Sequence, residues 1–290
     1  MFNGSMVALV TPFRNGKLDE TKLKELIERH IKSGTTALVP CGTTGESPTL
    51  SYAEHERVIE LTVKYAAGKI PVIAGTGANS TEEAIMLTTH AEKAGADASL
   101  QVSPYYNRPT QKGLYLHFKA IAESVKIPLI LYNIASRTGV NIEPETFVKL
   151  SGIKNIIGVK EASGSLEQMS RIRNMCPKDF LLISGDDALT LPVMAIGGVG
   201  VISVVANIIP KDVAAMCDAF RKGDIAKAND LHYKMLNLVK AMFVETNPIP
   251  VKTAMGLMGM IDPEIRLPLC EMLPENKEKL VNAMKEYKLI

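Results

Sequence analysis

Eight short apolar runs recur along the 290-residue chain, and their beat limits the fold more than any other feature. They are "MVALVTPF" (6–13), "TALVP" (36–40), "IPVIAG" (70–75), "ASLQVSP" (98–104), "PLILYN" (128–133), "IIGVK" (156–160), "FLLIS" (180–184) and "GVISV" (200–204). Successive runs start about 20 to 35 residues apart, the length of one strand–helix unit. Most are continuous rather than alternating, as strands covered on both faces should be. The segments between them carry helical spacing and helix-start chemistry. Residues 18–34 place Leu23, Leu26, Ile27 and Ile31 on one face and close on glycine. Ser51-x-x-Glu54, Ser80-x-x-Glu83 and Ser165-x-x-Gln168 predict capping boxes at the starts of helices over 51–68, 80–95 and 165–176. The expected fold is therefore α/β, a (β/α)8 TIM barrel over residues 1–224. A doubly wound sheet is the rival, but it usually has fewer strands and opens on a G-x-G-x-x-G turn that the first run lacks. After residue 224 the strand signals stop. "AKANDLHYKMLNLVKAMFVETN" and "ENKEKLVNAMKEYKLI" are helical, so residues 225–290 predict a C-terminal helical domain packed on the barrel.

Charge and cysteine usage narrow the function. Thirty-three basic and 31 acidic residues leave a net charge of +2 with no basic block, so nucleic acid is not an expected partner. Cys41, Cys176, Cys217 and Cys270 are far apart and form no C-x-x-C, which points to a reducing cytoplasm. The opening "MFNGSMVALVTPF" looks like a strand rather than a basic leader, and no 18-residue uncharged apolar stretch suggests a membrane span. His30, His55, His90, His117 and His232 are scattered over predicted helices, where they are expected at the surface, so no metal site is predicted.

Chemistry in a barrel of this kind sits at the C-terminal ends of the strands. Here those ends read "CGTTGES" (41–47), "SPYYNRP" (103–109), "YNIASRTG" (132–139), Lys160 and "SGDD" (184–187). Lys160 ends a run that is otherwise apolar. One explanation is that the strand surfaces there and Lys160 is solvated or paired with Glu161. The other is a dry cleft that lowers the lysine pKa, so that a neutral amine attacks a carbonyl and forms a Schiff base. Convergence of hydroxyls, tyrosines and an arginine on one mouth favours the second. Tyr132, on the neighbouring strand, is either a proton shuttle or a core tyrosine. "GTTGE" offers backbone N–H groups and two hydroxyls to a small carboxylate, or is a plain turn. Arg137 presents a planar fork for a second carboxylate, or a surface ion pair. Asp186 and Asp187 are expected to cap the helix after the seventh strand.

Together, "GTTGES", "PYYNRP", "YN-x-x-SRTG", "GVKEASG", "GVISV" and "ETNPIPVK" (245–252) resemble, in order and along the whole chain, the dihydrodipicolinate synthase branch of the pyruvate-dependent class I aldolase superfamily. The resemblance implies a lyase in which Lys160 forms an imine with pyruvate, with no other cofactor. The enamine then condenses with aspartate semialdehyde in lysine and diaminopimelate biosynthesis. It implies that Thr43, Tyr132 and Tyr106 relay protons, with Tyr106 supplied by a second copy in a homodimer or homotetramer. Thr44, Gly185 and Ile202 would line the pyruvate site, and Arg137 would hold the semialdehyde carboxylate. Ser47, His55, Asn79, Glu83 and Tyr105 match an inhibitory L-lysine site of the family, whereas capping of a helix is the plainer role for Asn79 and Glu83. Tyr52 stands where some lysine-sensitive members carry histidine, and Ala135 where the family usually has proline. Relatives that cleave sugar acids, such as N-acetylneuraminate lyase-like and keto-deoxy-gluconate aldolase-like enzymes, are the alternative activity, and Arg137 is the main discriminator. A flavin or phosphate-binding barrel using "GGVG" (197–200), or a silent binding protein on the same scaffold, stays open beside these.

Overall fold

A computed structural model describes residues 2–290. Its barrel strands are β1 (Gly4–Ala8), β2 (Ala37–Val39), β3 (Ile73–Gly75), β4 (Ala98–Val102), β5 (Leu129–Asn133), β6 (Ile156–Glu161), β7 (Leu181–Ser184) and β8 (Gly200–Ser203). They pair in parallel in the order β2-β1-β8-β7-β6-β5-β4-β3. A parallel bridge between Leu38 and Val72 and a bond from the Gly75 amide to the Pro40 carbonyl (2.9 Å) close the ring. Gly75 is required at that seam, since a Cβ there would lie 2.3 Å from the Cys41 carbonyl oxygen. The expected TIM barrel is present.

Successive strand residues point to opposite faces. Met6, Ala8, Val39, Ile73, Leu100, Ile130, Tyr132, Ile183 and Ile202 therefore fill the interior, while Val7, Leu38, Leu129, Leu131 and Val159 face the helices. Both sets are apolar, which is why the runs read as continuous. Each fully buried Leu or Ile of this kind contributes about 1.5–3 kcal/mol of transfer free energy.

The first run ends earlier than its apolar pattern: β1 stops at Ala8, and Phe13–Arg14 instead pairs with Lys17–Leu18 in a small antiparallel hairpin. Helices occupy Glu20–Lys32, Tyr52–Ala66, Thr81–Ala94 and Leu166–Met175, close to the expected spans. The Ser51 box is complete: Ser51 Oγ accepts from the Glu54 amide (3.3 Å) and Glu54 accepts from the Ser51 amide (3.0 Å). The other two are half-made. Ser80 and Ser165 cap their helices, but the Glu83 carboxylate accepts from the Tyr52 hydroxyl (3.0 Å) and the Gln168 amide donates to Glu161 (3.2 Å).

Beyond residue 224, helices Ile225–Ala241 and Pro274–Glu286 are joined by a third, Ile249–Leu257. Their Met235, Leu238, Val251, Met255, Leu280 and Met284 share one apolar cluster with Val7, Leu38 and Val201 of the barrel. No helix among the described residues is long and apolar enough to cross a membrane.

The histidines depart from expectation. His30, His55 and His117 are buried, and His90 and His232 are half-buried. The cause is helical spacing: His30 falls on the stripe of Leu23, Leu26 and Ile27, His55 on that of Val58 and Ile59, and His117 on that of Leu114, Phe118 and Ile121. Burial pulls the His30 imidazole down to about 3 and His55 and His117 down to about 4, so all three are neutral at pH 7.

Candidate active site

Alternation along β6 separates Lys160 from Glu161 and answers why a lysine ends that run. Lys160 points into the barrel between Tyr132 of β5 and Ile183 of β7, and is 6% exposed. Glu161 points outward and is occupied there by the Ser163 amide (2.7 Å), the Asn133 amide (3.0 Å) and Gln168. Pairing between the two neighbours is thereby excluded. Among the described residues, no carboxylate lies within 4.0 Å of the Lys160 ammonium, whose Nζ instead sits 4.2 Å from the centre of the Tyr132 ring. Burial pulls its pKa from 10.5 down to about 8; the Asp187 charge opposes this and the Arg137 charge adds to it. At pH 7 about one amine in ten is then neutral, against roughly one in a thousand for an exposed lysine. Gly185 leaves the space for this side chain: a Cβ there would lie 3.2 Å from Lys160 Cε and 2.7 Å from Ala162 Cβ.

Tyr132 is 5% exposed, and burial pushes its phenol up to about 12 against smaller downward pulls from Arg137 and from Thr43, which lies beside it. Thr43 and Thr44 sit in the turn after β2. Thr44 is buried, and its hydroxyl accepts from the Asn247 side-chain amide (3.0 Å). Ile202 is buried inside the barrel on β8. Arg137 lies on a one-turn helix, Ala135–Thr138, and donates to the Asn247 carbonyl (3.1 Å). Tyr106 stands apart: it is 93% exposed with its backbone in the left-handed region (φ 59°).

Ala135 opens that one-turn helix, and Ile134 before it has φ −148° and ψ 77°, outside the helical region. A proline fits such a first position. Ala135→Pro should therefore raise stability by about 0.4–1 kcal/mol through the unfolded chain. Urea titration checks this, and an unchanged or lower midpoint would count against it.

A cavity of about 570 Å³ opens beside these groups. Thr43, Tyr132 and Arg137 form part of its wall, as do Ser47, His55, Asn79, Glu83 and Tyr105. Lys160 is not part of that wall but packs on the ring of Tyr132, which is. The cavity thus puts Thr43, Tyr132 and Arg137 beside Ser47, His55, Asn79, Glu83 and Tyr105, while Thr44, Gly185 and Ile202 lie off its wall. Asn79 caps no helix; its Oδ1 accepts from the Tyr105 amide (3.1 Å) and its carbonyl from Asn107 (3.1 Å), while Ser80 does the capping. His55 is held to the Gly75 carbonyl through Nε2 (2.9 Å). Asp186 caps as expected, accepting from the Ala188 amide (2.8 Å). Asp187 does not; it is buried and accepts from the Val204 (2.9 Å) and Val205 (3.3 Å) amides, tying the end of β7 to the end of β8.

Asn247, inside "ETNPIPVK", is a site residue that the strand ends do not reveal. It bridges Thr44 and Arg137 from outside the barrel. Strand-end logic does not find it, because it belongs to the C-terminal extension.

A sequence profile of the Dihydrodipicolinate synthetase family matches residues 1–287. The 4-hydroxy-tetrahydrodipicolinate synthase of Syntrophus aciditrophicus (strain SB) is 57% identical over 290 residues, all of both chains. Among solved structures, dihydrodipicolinate synthase from Aquifex aeolicus superposes with a TM-score of 0.98 at 52% identity over 99% of each chain. The chloride-inhibited enzyme from Acinetobacter baumannii, complexed with pyruvate, gives 0.98 at 47% identity over 100% of each. The enzyme from Cyanidioschyzon merolae with lysine bound gives 0.96 at 42% identity over 100% of this chain and 99% of that one. By full-length sequence and by fold, the chain belongs to the dihydrodipicolinate synthetase family.

Proposed function

We infer that the chain is a lyase that condenses pyruvate with L-aspartate 4-semialdehyde through a Schiff base, giving 4-hydroxy-tetrahydrodipicolinate for lysine and diaminopimelate biosynthesis. The observation that carries this is Lys160: buried, without a carboxylate partner, and partly neutral at pH 7. Its Nζ adds to the ketone carbon of pyruvate, and the ketone oxygen takes a proton to give a carbinolamine. A second proton expels that hydroxyl as water and leaves the imine. Loss of a methyl proton gives the enamine, whose carbon attacks the aldehyde, and the new alkoxide is protonated. The semialdehyde's own amine then adds to the imine carbon, closes the ring and returns Lys160 as a free amine.

The Tyr132 phenol stays protonated at neutral pH and so starts as a donor. Thr43 beside it passes protons on, and Tyr106 of a second copy completes the relay. The exposure and left-handed backbone of Tyr106 suit a side chain whose partner lies on another molecule, so a homodimer is the smallest working unit and a homotetramer the fuller assembly. The Thr44 turn, with Gly185 and Ile202, receives the keto acid. Arg137 takes the second carboxylate, which suits a small carboxylated aldehyde better than a polyol chain. Treatment with pyruvate and borohydride should leave a reduced adduct on the peptide containing Lys160. A mass spectrum with that peptide unmodified would overturn the assignment.

The Ser47, His55, Asn79, Glu83 and Tyr105 wall is the inhibitory L-lysine site. Glu83 supplies a carboxylate for an ammonium group, and neutral His55 a hydrogen bond. L-Lysine should lower the steady-state rate, and Glu83→Gln should weaken that inhibition by about tenfold, the worth of one charge-assisted hydrogen bond. A rate flat across the lysine titration would reject the site. The four free cysteines support a reducing compartment, and the cytoplasm is the proposed location.

A further inference from the structure

The turn after β2 is held from beneath by a buried ion pair that no catalytic step uses. Lys252, on the helix Ile249–Leu257, and Glu46, in the turn, are each 1% exposed at the side chain and meet at 2.5 Å. Glu46 has its backbone in the left-handed region (φ 54°), a conformation that a residue with a Cβ keeps only when something outside it decides. Its second carboxylate oxygen accepts from the Arg266 backbone amide (3.1 Å). Its own amide donates to the Thr43 carbonyl (3.1 Å), so the orientation of Glu46 is passed directly to Thr43. Lys252 also donates to the Thr11 carbonyl (3.1 Å), and the Thr11 hydroxyl donates to the Gly45 carbonyl (2.7 Å). Asn247, five residues before Lys252, donates to Thr44. The C-terminal extension therefore touches Thr44 and Glu46 directly and Gly45 through Thr11, and Gly45 and Glu46 share the turn's internal bonds with Gly42 and Thr43.

Stability alone does not account for such a pair. Two buried charges add little over an apolar pair of the same volume, because each has been stripped of water. What the pair adds is direction: a carboxylate with one oxygen on an ammonium and the other on a backbone amide has a single orientation. We propose that Lys252 and Glu46 are positioning residues, through which the C-terminal helices set the turn that presents Thr43 and Thr44 to the keto acid. This rests on the inference that the turn receives that substrate.

The test compares Lys252→Met, Glu46→Gln and the double variant Lys252→Met/Glu46→Gln with the parent and with Lys234→Met, which breaks a partly exposed ion pair to Asp212 that shares no bond with the turn. Melting midpoint, KM for each substrate and the rate of the pyruvate–borohydride adduct are read on each. Lys252→Met and the double variant should raise KM for pyruvate about tenfold and slow adduct formation in step, with KM for the semialdehyde within about twofold of the parent. Glu46→Gln, whose amide still accepts from Lys252, should fall between. The double variant should melt above Lys252→Met, since it leaves no lone buried carboxylate, yet keep the raised KM. Lys234→Met should leave both KM values unchanged. Should Lys252→Met not fold, the double variant and Glu46→Gln decide. A folded double variant with the parental KM for pyruvate would overturn the proposal while leaving the keto-acid assignment intact; a parent that forms no adduct would overturn both.

Discussion

Lys160→Met should abolish turnover and at the same time make the protein more stable. The first effect follows from chemistry: methionine has no nucleophile, so no imine forms and the rate falls on the order of 10⁴-fold or more. The second follows from electrostatics. The ammonium has a folded pKa of about 8 and an ordinary value of 10.5. Below pH 8 both folded and unfolded chains carry the proton, and the folded chain carries it in a dry site, so the full cost of burial is present. Between pH 8 and 10.5 the folded chain has released the proton and the unfolded chain has not, so parental stability rises with pH. Above 10.5 neither state is charged and the term vanishes. The shift corresponds to about 3 kcal/mol at pH 7. Lys160→Met should gain up to about that much, with the advantage shrinking across pH 8 to 10.5. Adduct formation by the parent should rise with pH to about 8 and then level off. A methionine variant that turns over would remove the lysine from the chemistry, and one with parental stability at pH 7 would refute the desolvated amine.

Tyr132→Phe should slow turnover by an estimated 10² or more while leaving pyruvate capture in place. The ring that packs against Lys160 stays, so the amine keeps its surroundings, and only the transferable proton is lost. Borohydride trapping should still label Lys160, at a lower rate, because carbinolamine dehydration needs a proton donor. The loss should appear mainly in kcat, with KM for pyruvate changed little. Equal turnover numbers for the phenylalanine variant and the parent would take this tyrosine out of the relay.

Local pattern carried most of the architecture. The eight runs and the serine caps describe contacts within a few residues, and those contacts are the ones that propensity and periodicity record. Even so, local logic misplaced some groups. A lone histidine on a helix reads locally as a surface group, yet His30, His55 and His117 lie on the apolar stripe and are buried. Glu83 and Gln168 stand at the third position of good capping boxes, but Tyr52 and Glu161, from other elements, hold their side chains instead. Lys160 beside Glu161 invited a pairing that strand alternation forbids.

From its sequence alone, then, this protein had its fold class determined, along with the strand that carries Lys160 and the family to which it belongs. Those follow from period-two and period-3.6 spacing and from motifs that stay contiguous in the chain. Tertiary structure alone decided that Lys160 is dry and without a carboxylate, and that Thr43, Tyr132 and Arg137 share a cavity wall with His55 and Glu83. It also decided that Asn247 and Lys252 reach back about two hundred residues to hold the turn at 42–47. Desolvation and long-range hydrogen bonds depend on which segments close around a group, and no local stretch of sequence contains that information.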